Sequence, residues 1–241
     1  MTKIKDWQWE DFFELTSTND KAKEKSLGLK NEKFVITSQR QNAGRGRRGR
    51  SWIGCEGNLF MSLGIECSLR DLGQIIFVVS LSLAEVILEY KPSLDVKLKW
   101  PNDVLINGAK ISGILLEKGD GDYLIIGIGV NIKNAPKSDN IKYAVSSLYD
   151  AGIDVDRLEF LQSYLTKFDE NINLWKKEGF GIIRQKWLSM ASHRDQEIRV
   201  VTEKEEKTGI FKGVDDNGIL LLQTANGEEK IFAGDVFFKD I

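Results

Sequence analysis

The sequence predicts an α+β fold: a mixed β-sheet packed with helices, followed by a small C-terminal β-barrel. Three observations carry this expectation. Apolar, β-branched runs at residues 34–37, 58–65, 96–100, 104–106, 111–116 and 123–132 have the length and patterning of strands, four or five of them forming one mixed sheet. Two long stretches, 74–90 and 158–175, read as helices, the first mostly buried and the second with helical periodicity. Beyond residue 195 only short strands recur, at 198–201, 209–212, 219–223 and 230–232, separated by Asp216-Asn217-Gly218 and Ala225-Asn226-Gly227 turns. Two domains are expected, 1–194 and 195–241.

Each element has a local reason. Thr16-Ser17-Thr18-Asn19-Asp20 is a helix-start cluster, and Gly28 is a plausible stop. Gly44-Arg45-Gly46-Arg47-Arg48-Gly49-Arg50 has no period and must be a loop. Pro101 keeps Trp100 extended and stops the strand from continuing as an internal ladder. Asn107-Gly108 between two apolar runs is a strong two-residue hairpin signal. Gly127 and Gly129 interrupt an otherwise apolar strand, which points to close approach of another backbone or a ligand. Leu158, Leu161, Leu165, Phe168, Ile172 and Trp175 form the stripe of an amphipathic helix that Asp154 or Asp156 can cap. A shorter helix is expected over residues 180–190. No internal repeat is present.

The chain has 241 residues, 41% hydrophobic and 29% charged, with 3 Pro against 22 Gly, which excludes global disorder. Its longest apolar stretches, 75–86 and 124–132, fall short of the ~20 residues that span a bilayer, and the first residues do not resemble a secretion signal. A cytoplasmic protein is the default expectation. Two cysteines and one histidine exclude a disulfide scaffold and a four-ligand zinc site. His193, beside Ser192, Arg194 and Asp195 in a polar linker, is expected to be exposed and uncatalytic. The net charge is −2, yet Arg40, Arg45, Arg47, Arg48 and Arg50 crowd into 11 residues. Without those five, the remainder holds 29 positive against 36 negative side chains. One positive loop on an acidic body fits a small anionic ligand better than a nucleic-acid surface.

The Gly-Arg loop can bind phosphate, since glycines admit close backbone approach and guanidinium groups supply forked donors. It lacks the Gly-Lys-Ser/Thr ending of a P-loop. On composition alone it is equally a flexible basic loop or an RNA-binding segment. Trp52 just beyond it can stack on a base or cover an apolar ligand. Lys99-Trp100-Pro101-Asn102-Asp103 places two polar groups at a strand end, where ligands commonly sit, although Pro-Asn-Asp is also ordinary turn chemistry. Lys110 points into the same site or into solvent.

Taken together these pieces are more specific. Ser17-Thr18-Asn19, the segment from Gln41 through Gly44-Arg45-Gly46-Arg47-Arg48-Gly49-Arg50 to Trp52, Lys99-Trp100-Pro101-Asn102-Asp103, Lys110-Ile111-Ser112-Gly113-Ile114-Leu115 and Gly127-Ile128-Gly129-Val130-Asn131 resemble, in order and spacing, the biotin protein ligase family. The motifs cover residues 14–132, and the segment from 197 is similar to that family's C-terminal domain. With the Ser-Thr-Asn motif starting at residue 17, the chain resembles the ligase-only type without an N-terminal DNA-binding domain. The resemblance implies a class II synthetase-like biotin/lipoate ligase catalytic fold with an SH3-like terminal barrel.

The implied reaction joins biotin and ATP to biotinyl-5′-AMP, with Mg²⁺ bridging phosphate oxygens. The biotinyl group then passes to a lysine of the biotin carboxyl carrier protein of acetyl-CoA carboxylase. On the family pattern, Ser17, Thr18, Asn19 and Gln41 surround biotin, Arg45, Gly46 and Arg47 lie near its carboxyl end, and Gly44 belongs to the same binding set. Lys110 spans carboxylate and phosphate, and Arg45, Arg47, Arg50 and Lys110 together offset the repulsion between the two anions, with Lys110, Arg47, Arg45 and Asp103 as the catalytic set. Gly113 also belongs to the binding set, and Trp52 and Asn131 are candidates for the adenylate side. Asp103 is expected either to contact Mg²⁺ or to orient the carrier lysine. Residues 42–51 are expected to be mobile without ligand and ordered with it. Sheet edges could pair two copies into a homodimer. A lipoate or octanoyl ligase and a non-enzymatic RNA-binding protein are the competing readings.

Overall fold

The computed structural model describes residues 2–68, 71–137 and 143–238. The chain forms two compact units, each assembled from separate stretches of sequence. The first comprises residues 1–72 and 109–164, and the second comprises residues 73–108 and 165–241.

The first unit is a mixed sheet carrying one short helix. Its elements in chain order are β1 (Thr2–Ile4), β2 (Trp7–Leu15), α1 (Thr18–Ser26), β3 (Phe34–Gln41), a 3₁₀ turn (Arg47–Gly49) and β4 (Leu59–Glu66). After residue 108 it continues with β7 (Ala109–Lys118) and β8 (Tyr123–Val130). Its strands run in the order β1-β2-β3-β4-β8-β7; only β2 and β3 are parallel, and the other pairings are antiparallel. The crossover between the two parallel strands contains α1, as a parallel connection requires. Ala22 of that helix packs with Phe34, Ile36, Tyr123 and Ile125. Phe34 fits because its partner across β4 is Gly64, where an added Cβ would stand 2.1 Å from the phenyl ring.

The second unit combines three helical segments, a hairpin and a five-stranded sheet. α2 (Leu72–Tyr90) precedes β5 (Val96–Lys99) and β6 (Asp103–Ile106), which pair antiparallel. α3 (Arg157–Glu178) enters this unit at residue 165, and α4 (Phe180–Ser189) follows. Phe77 of α2 meets Phe180 and Trp187 edge-on at centroid distances of 5.4 and 4.9 Å. The Trp187 indole N–H donates to Ser80 Oγ at 3.1 Å, so a buried aromatic keeps its polar atom satisfied. The closing sheet is antiparallel in the order β12-β11-β10-β9-β13. Its strands are β9 (Glu197–Val201), β10 (Glu206–Val214), β11 (Leu220–Thr224), β12 (Gly227–Ile231) and β13 (Asp235–Phe238).

The α+β class, the helices and the terminal β-domain agree with the sequence reading. Several details differ. β1, β2 and β13 carry no clean alternation of apolar and polar residues, and the sheet in the first unit is wider than four or five strands. α3 is capped by Asp156, whose carboxylate accepts the Leu158 N–H at 2.7 Å, while Asp154 pairs with Lys133. The Trp100–Pro101 peptide is cis. α2 is longer than the apolar run by which a membrane span was excluded: its 19 residues are long and apolar enough to cross one, but 61% of that window is buried inside the protein. His193 is half-buried, not exposed, with its ring stacked on Phe238 at 3.4 Å and its Nδ1 2.6 Å from Ser192 Oγ.

Replacing Gly64 by alanine tests the tightest fit in the first unit. The new methyl overlaps the Phe34 ring, and we expect a loss of about 1–3 kcal/mol through overpacking. This would appear as a melting temperature lowered by several degrees in calorimetry, with the circular dichroism of the folded state retained.

Candidate active site

The N-terminal turn of α1 is unusually buried for its polarity: Ser17, Thr18 and Asn19 are 4%, 4% and 5% exposed. Buried polar groups need partners, and here they come from three strands. Gln41, at the end of β3, turns its Oε1 onto the Thr18 backbone N–H (2.8 Å) and hydroxyl (3.1 Å), which satisfies a helix-terminal donor that Ser17 does not cap with its own side chain. Ser62 on β4 lies 2.8 Å from the Thr18 hydroxyl and 2.5 Å from Asn19 Oδ1. Asn19 Nδ2 donates to Glu117 of β7 at 2.6 Å. Because a carboxylate only accepts, Glu117 fixes which way the Asn19 amide faces, and hence that Oδ1 receives Ser62.

The sheet beneath has been stripped of side chains. Gly127 and Gly129 lie on one face of β8, two residues apart, and Gly113 pairs with Gly129 from β7. A Cβ at Gly127 would stand 2.2 Å from Asn19 Oδ1. At Gly129 it would stand 2.3 Å from Trp52 Cε2, and at Gly113 2.8 Å from Trp52 Cζ3. Asn19 therefore rests at one end of a bare strip of sheet and the Trp52 ring at the other. Lys110 Nζ lies 5.5 Å from the centre of the Trp52 ring and 5.4 Å from that of Tyr143, a pair of cation–π contacts. The Trp52 indole N–H is buried with no hydrogen-bond partner among the described residues, an arrangement that costs about 1–3 kcal/mol until an acceptor arrives.

The Gly-Arg loop is a small hairpin rather than a shapeless excursion. Arg45 and Ser51 form an antiparallel bridge, Gly46 N–H donates to the Arg50 carbonyl at 2.6 Å, and Trp52 N–H donates to the Gly44 carbonyl at 2.9 Å. At its tip Arg48 adopts the left-handed conformation (φ 55°) and Arg50 Nε donates to the Arg47 carbonyl at 3.3 Å. Its base is held by Arg45, whose Nη1 and Nη2 donate to the two Asp20 oxygens at 2.7 and 2.6 Å. The same Nη2 reaches Glu117 Oε2 at 3.1 Å. Lys23 bonds the other Glu117 oxygen at 2.6 Å. The hydrogen bond from Arg45 holds the Asp20 carboxyl below its ordinary range. Burial pushes Glu117 up, but the hydrogen bonds from Lys23, Asn19 and Arg45 outweigh it and leave that carboxyl low as well.

Of the residues singled out in sequence, Ser17, Thr18, Asn19, Gln41, Gly44, Arg45, Trp52, Lys110 and Gly113 thus gather on this face of the first unit. Gly46, Arg47 and Arg50 belong to the loop above its base. Asn131 follows β8 and donates from Nδ2 to the Ser146 carbonyl at 3.1 Å. Asp103 opens β6 in the second unit. Sequence reasoning passed over Glu117, Ser62 and Asn58. Glu117 was signalled by a charge inside an apolar strand, Leu115-Leu116-Glu117. Asn58 Oδ1 accepts the backbone N–H groups of Ile132, Lys133 and Asn134 at 3.0, 3.1 and 3.1 Å, and nothing but a preceding glycine announced it. Among the described residues no three His, Cys, Asp or Glu side chains converge as metal ligands.

The carboxylates of this cluster have depressed native pKa values, so their contribution to stability is present above the unfolded value of about 4 and is lost as pH falls through the lowered native values. Arg45→Gln should therefore melt below the wild type at pH 7. The gap should narrow when calorimetry is repeated at pH values well below the unfolded value, as both carboxylates become protonated in the native state.

Residues 10–131 match the biotin/lipoate A/B protein ligase family, and residues 193–239 match the biotin protein ligase C-terminal domain. The chain is 37% identical over 237 residues to the biotin–[acetyl-CoA-carboxylase] ligase of Paracoccus denitrificans, covering 92% of this chain and 97% of that protein. It is 34% identical to the bifunctional ligase/repressor BirA of Bacillus subtilis, covering 92% of this chain and 71% of BirA. Its fold superposes on the biotin protein ligase from Aquifex aeolicus in complex with biotin and ATP with a TM-score of 0.83 at 30% identity, over 95% of this chain and 97% of that one. The bare strip between Asn19 and Trp52, the loop rooted at Arg45 and these likenesses converge: the chain belongs to the biotin protein ligase family.

Proposed function

We propose that this protein is a biotin–[acetyl-CoA-carboxylase] ligase that makes biotinyl-5′-AMP from biotin and ATP and passes the biotinyl group to a lysine of a biotin carboxyl carrier protein. Family membership and the biotin and ATP bound by the Aquifex relative support the substrates. The observation of this chain that carries the reading is the side-chain-free strip on β7 and β8, on which Asn19 rests at one end and the Trp52 ring, beside the Lys110 ammonium, at the other.

Those boundaries match the chemistry. A ureido ring offers one carbonyl acceptor and two N–H donors, and the α1 start presents the Ser17 and Thr18 hydroxyls beside Gln41, whose Oε1 is already engaged, so that its Nε2 is the group left to donate. Asn19, held by Glu117 and Ser62, completes the polar end. An alkyl chain suits the apolar surface beside the Trp52 ring, which the glycines let settle onto the sheet. At the far end a carboxylate oxygen must attack the α-phosphorus while the bond to the departing pyrophosphate breaks, so two anions must be brought together. Lys110 supplies a compact charge there, and Arg47 and Arg50 of the loop supply two more. Trp52 and Asn131 face the adenylate side, where an acceptor on the nucleotide would satisfy the Trp52 N–H. In the second step a carrier lysine amine attacks the acyl carbon and AMP leaves.

Magnesium enters with ATP. A metal held mainly by phosphate oxygens and water needs only one or two protein carboxylates, and Asp103 would provide one or else orient the carrier lysine. A metal held there would supply positive charge to the departing pyrophosphate. Residues 195–241 form the terminal domain of this reading, with a role in shaping carrier or nucleotide docking. The reaction is placed in the cytoplasm, with a second copy of the chain as an optional partner.

Incubation with ATP, Mg²⁺ and either biotin or lipoate tests the assignment. Pyrophosphate release with biotin, and acyl transfer to an apo carrier domain, are expected; release with lipoate alone would reassign the substrate. Lys110→Ala and Arg47→Ala should each lower kcat/KM by about 10²–10³ without unfolding the protein. Turnover at the wild-type level in both would refute the roles given to them. Trypsin should cut within residues 42–51 more slowly in the presence of biotin and ATP, since an anhydride intermediate must be shielded from water.

A further inference from the structure

The cluster at the base of the Gly-Arg loop assigns an unexpected function to its first arginine. Arg45 belongs to the motif whose guanidinium groups are expected to meet ligand charge. Its side chain is instead occupied by a bidentate pair with Asp20, and one of the same nitrogens touches Glu117. With Lys23 on the remaining Glu117 oxygen, two cations face two carboxylates, and the group has no net positive charge to offer an incoming anion. The contacts also join three separate elements: Asp20 and Lys23 on α1, Glu117 on β7, and Arg45 on the loop. Glu117 Oε2 receives both Arg45 and Asn19, so the loop base and the polar end of the ligand strip share one oxygen.

We infer that Asp20 and Glu117 are positioning residues that clamp Arg45, and that Arg45 serves to root the Gly-Arg loop beside the buried start of α1 rather than to neutralise substrate charge. An isolated exposed pair would contribute little, but forked geometry with a second carboxylate is the arrangement in which such contacts become effective. The clamp acts through Asn19 and the loop backbone, so its influence falls on binding at the polar end of the strip.

This inference rests on the biotin-ligase reading for its kinetic readout, and a second readout is independent of it. Biotin-dependent ATP–pyrophosphate exchange would be measured for Asp20→Asn, Arg45→Ala, the double variant and Asp20→Glu, with circular dichroism confirming that each is folded. A clamp raises KM for biotin about three- to tenfold in either single variant. The double variant is then no worse than the singles, and Asp20→Glu recovers most of the loss, because the two residues act as one unit. A direct charge contact gives the opposite pattern: Arg45→Ala lowers kcat and raises KM for ATP, while Asp20→Asn leaves exchange unchanged or speeds it by releasing the guanidinium. That result would overturn the clamp. Independently, trypsin should cleave Asp20→Asn and Glu117→Gln within residues 45–50 several-fold faster than the wild type, and equal rates would also overturn it. Absence of exchange in the wild-type protein would refute the proposed function instead, leaving the proteolysis comparison to decide the clamp.

Discussion

Three glycines on one face of two neighbouring strands are the constraint on which the site depends. β7 and β8 are neighbouring antiparallel strands, where side chains normally stand about 5 Å apart across each pair. Removing them at Gly113, Gly127 and Gly129 lowers the floor so that an amide at one end and an indole at the other lie directly on main chain. Everything placed above it follows from that clearance. α1 can sink until its first turn is nearly inaccessible, and the buried turn must then recruit Gln41, Ser62 and Glu117 to satisfy its polar groups.

The electrostatics divide along the same strip. The polar end is balanced internally, with cations and carboxylates paired, so it recognises by hydrogen-bond pattern rather than by charge. The far end holds Lys110 among aromatic faces, and the loop tip carries Arg47 and Arg50. This separation is useful for acyl activation, because repulsion between two anions is met where they react, without a field that would also draw anions to the wrong end.

Much of this was legible in the sequence, for identifiable reasons. Asn107-Gly108 announced its turn because both residues adopt positive φ there, at 50° and 79°. The helices were visible because α3 repeats its apolar positions at helical spacing and α2 is a single long apolar run. The glycines of β8 were legible as points of close approach, although only the fold identified Asn19 and Trp52 as what approaches. β2 escaped because Glu10, Asp11 and Glu14 obscure its pattern; its acids are neutralised by partners far away in sequence, such as Arg157 on Asp11 and Lys25 on Glu10. The clamp escaped for the same reason: Arg45 and Glu117 are 72 residues apart, and no local pattern pairs them. Arginine in a Gly-Arg run looks available until the acidic groups around it are known.

The main chain of Lys110 has a consequence of its own. Its N–H donates to the Ala144 carbonyl at 2.9 Å and its carbonyl accepts from the Ser146 N–H at 3.0 Å, so it forms a parallel bridge with Val145. Asn131 holds the same stretch through Ser146. The backbone that carries the Lys110 ammonium is therefore braced by residues 144–146, and a change in that brace would move the side chain without substituting Lys110 itself.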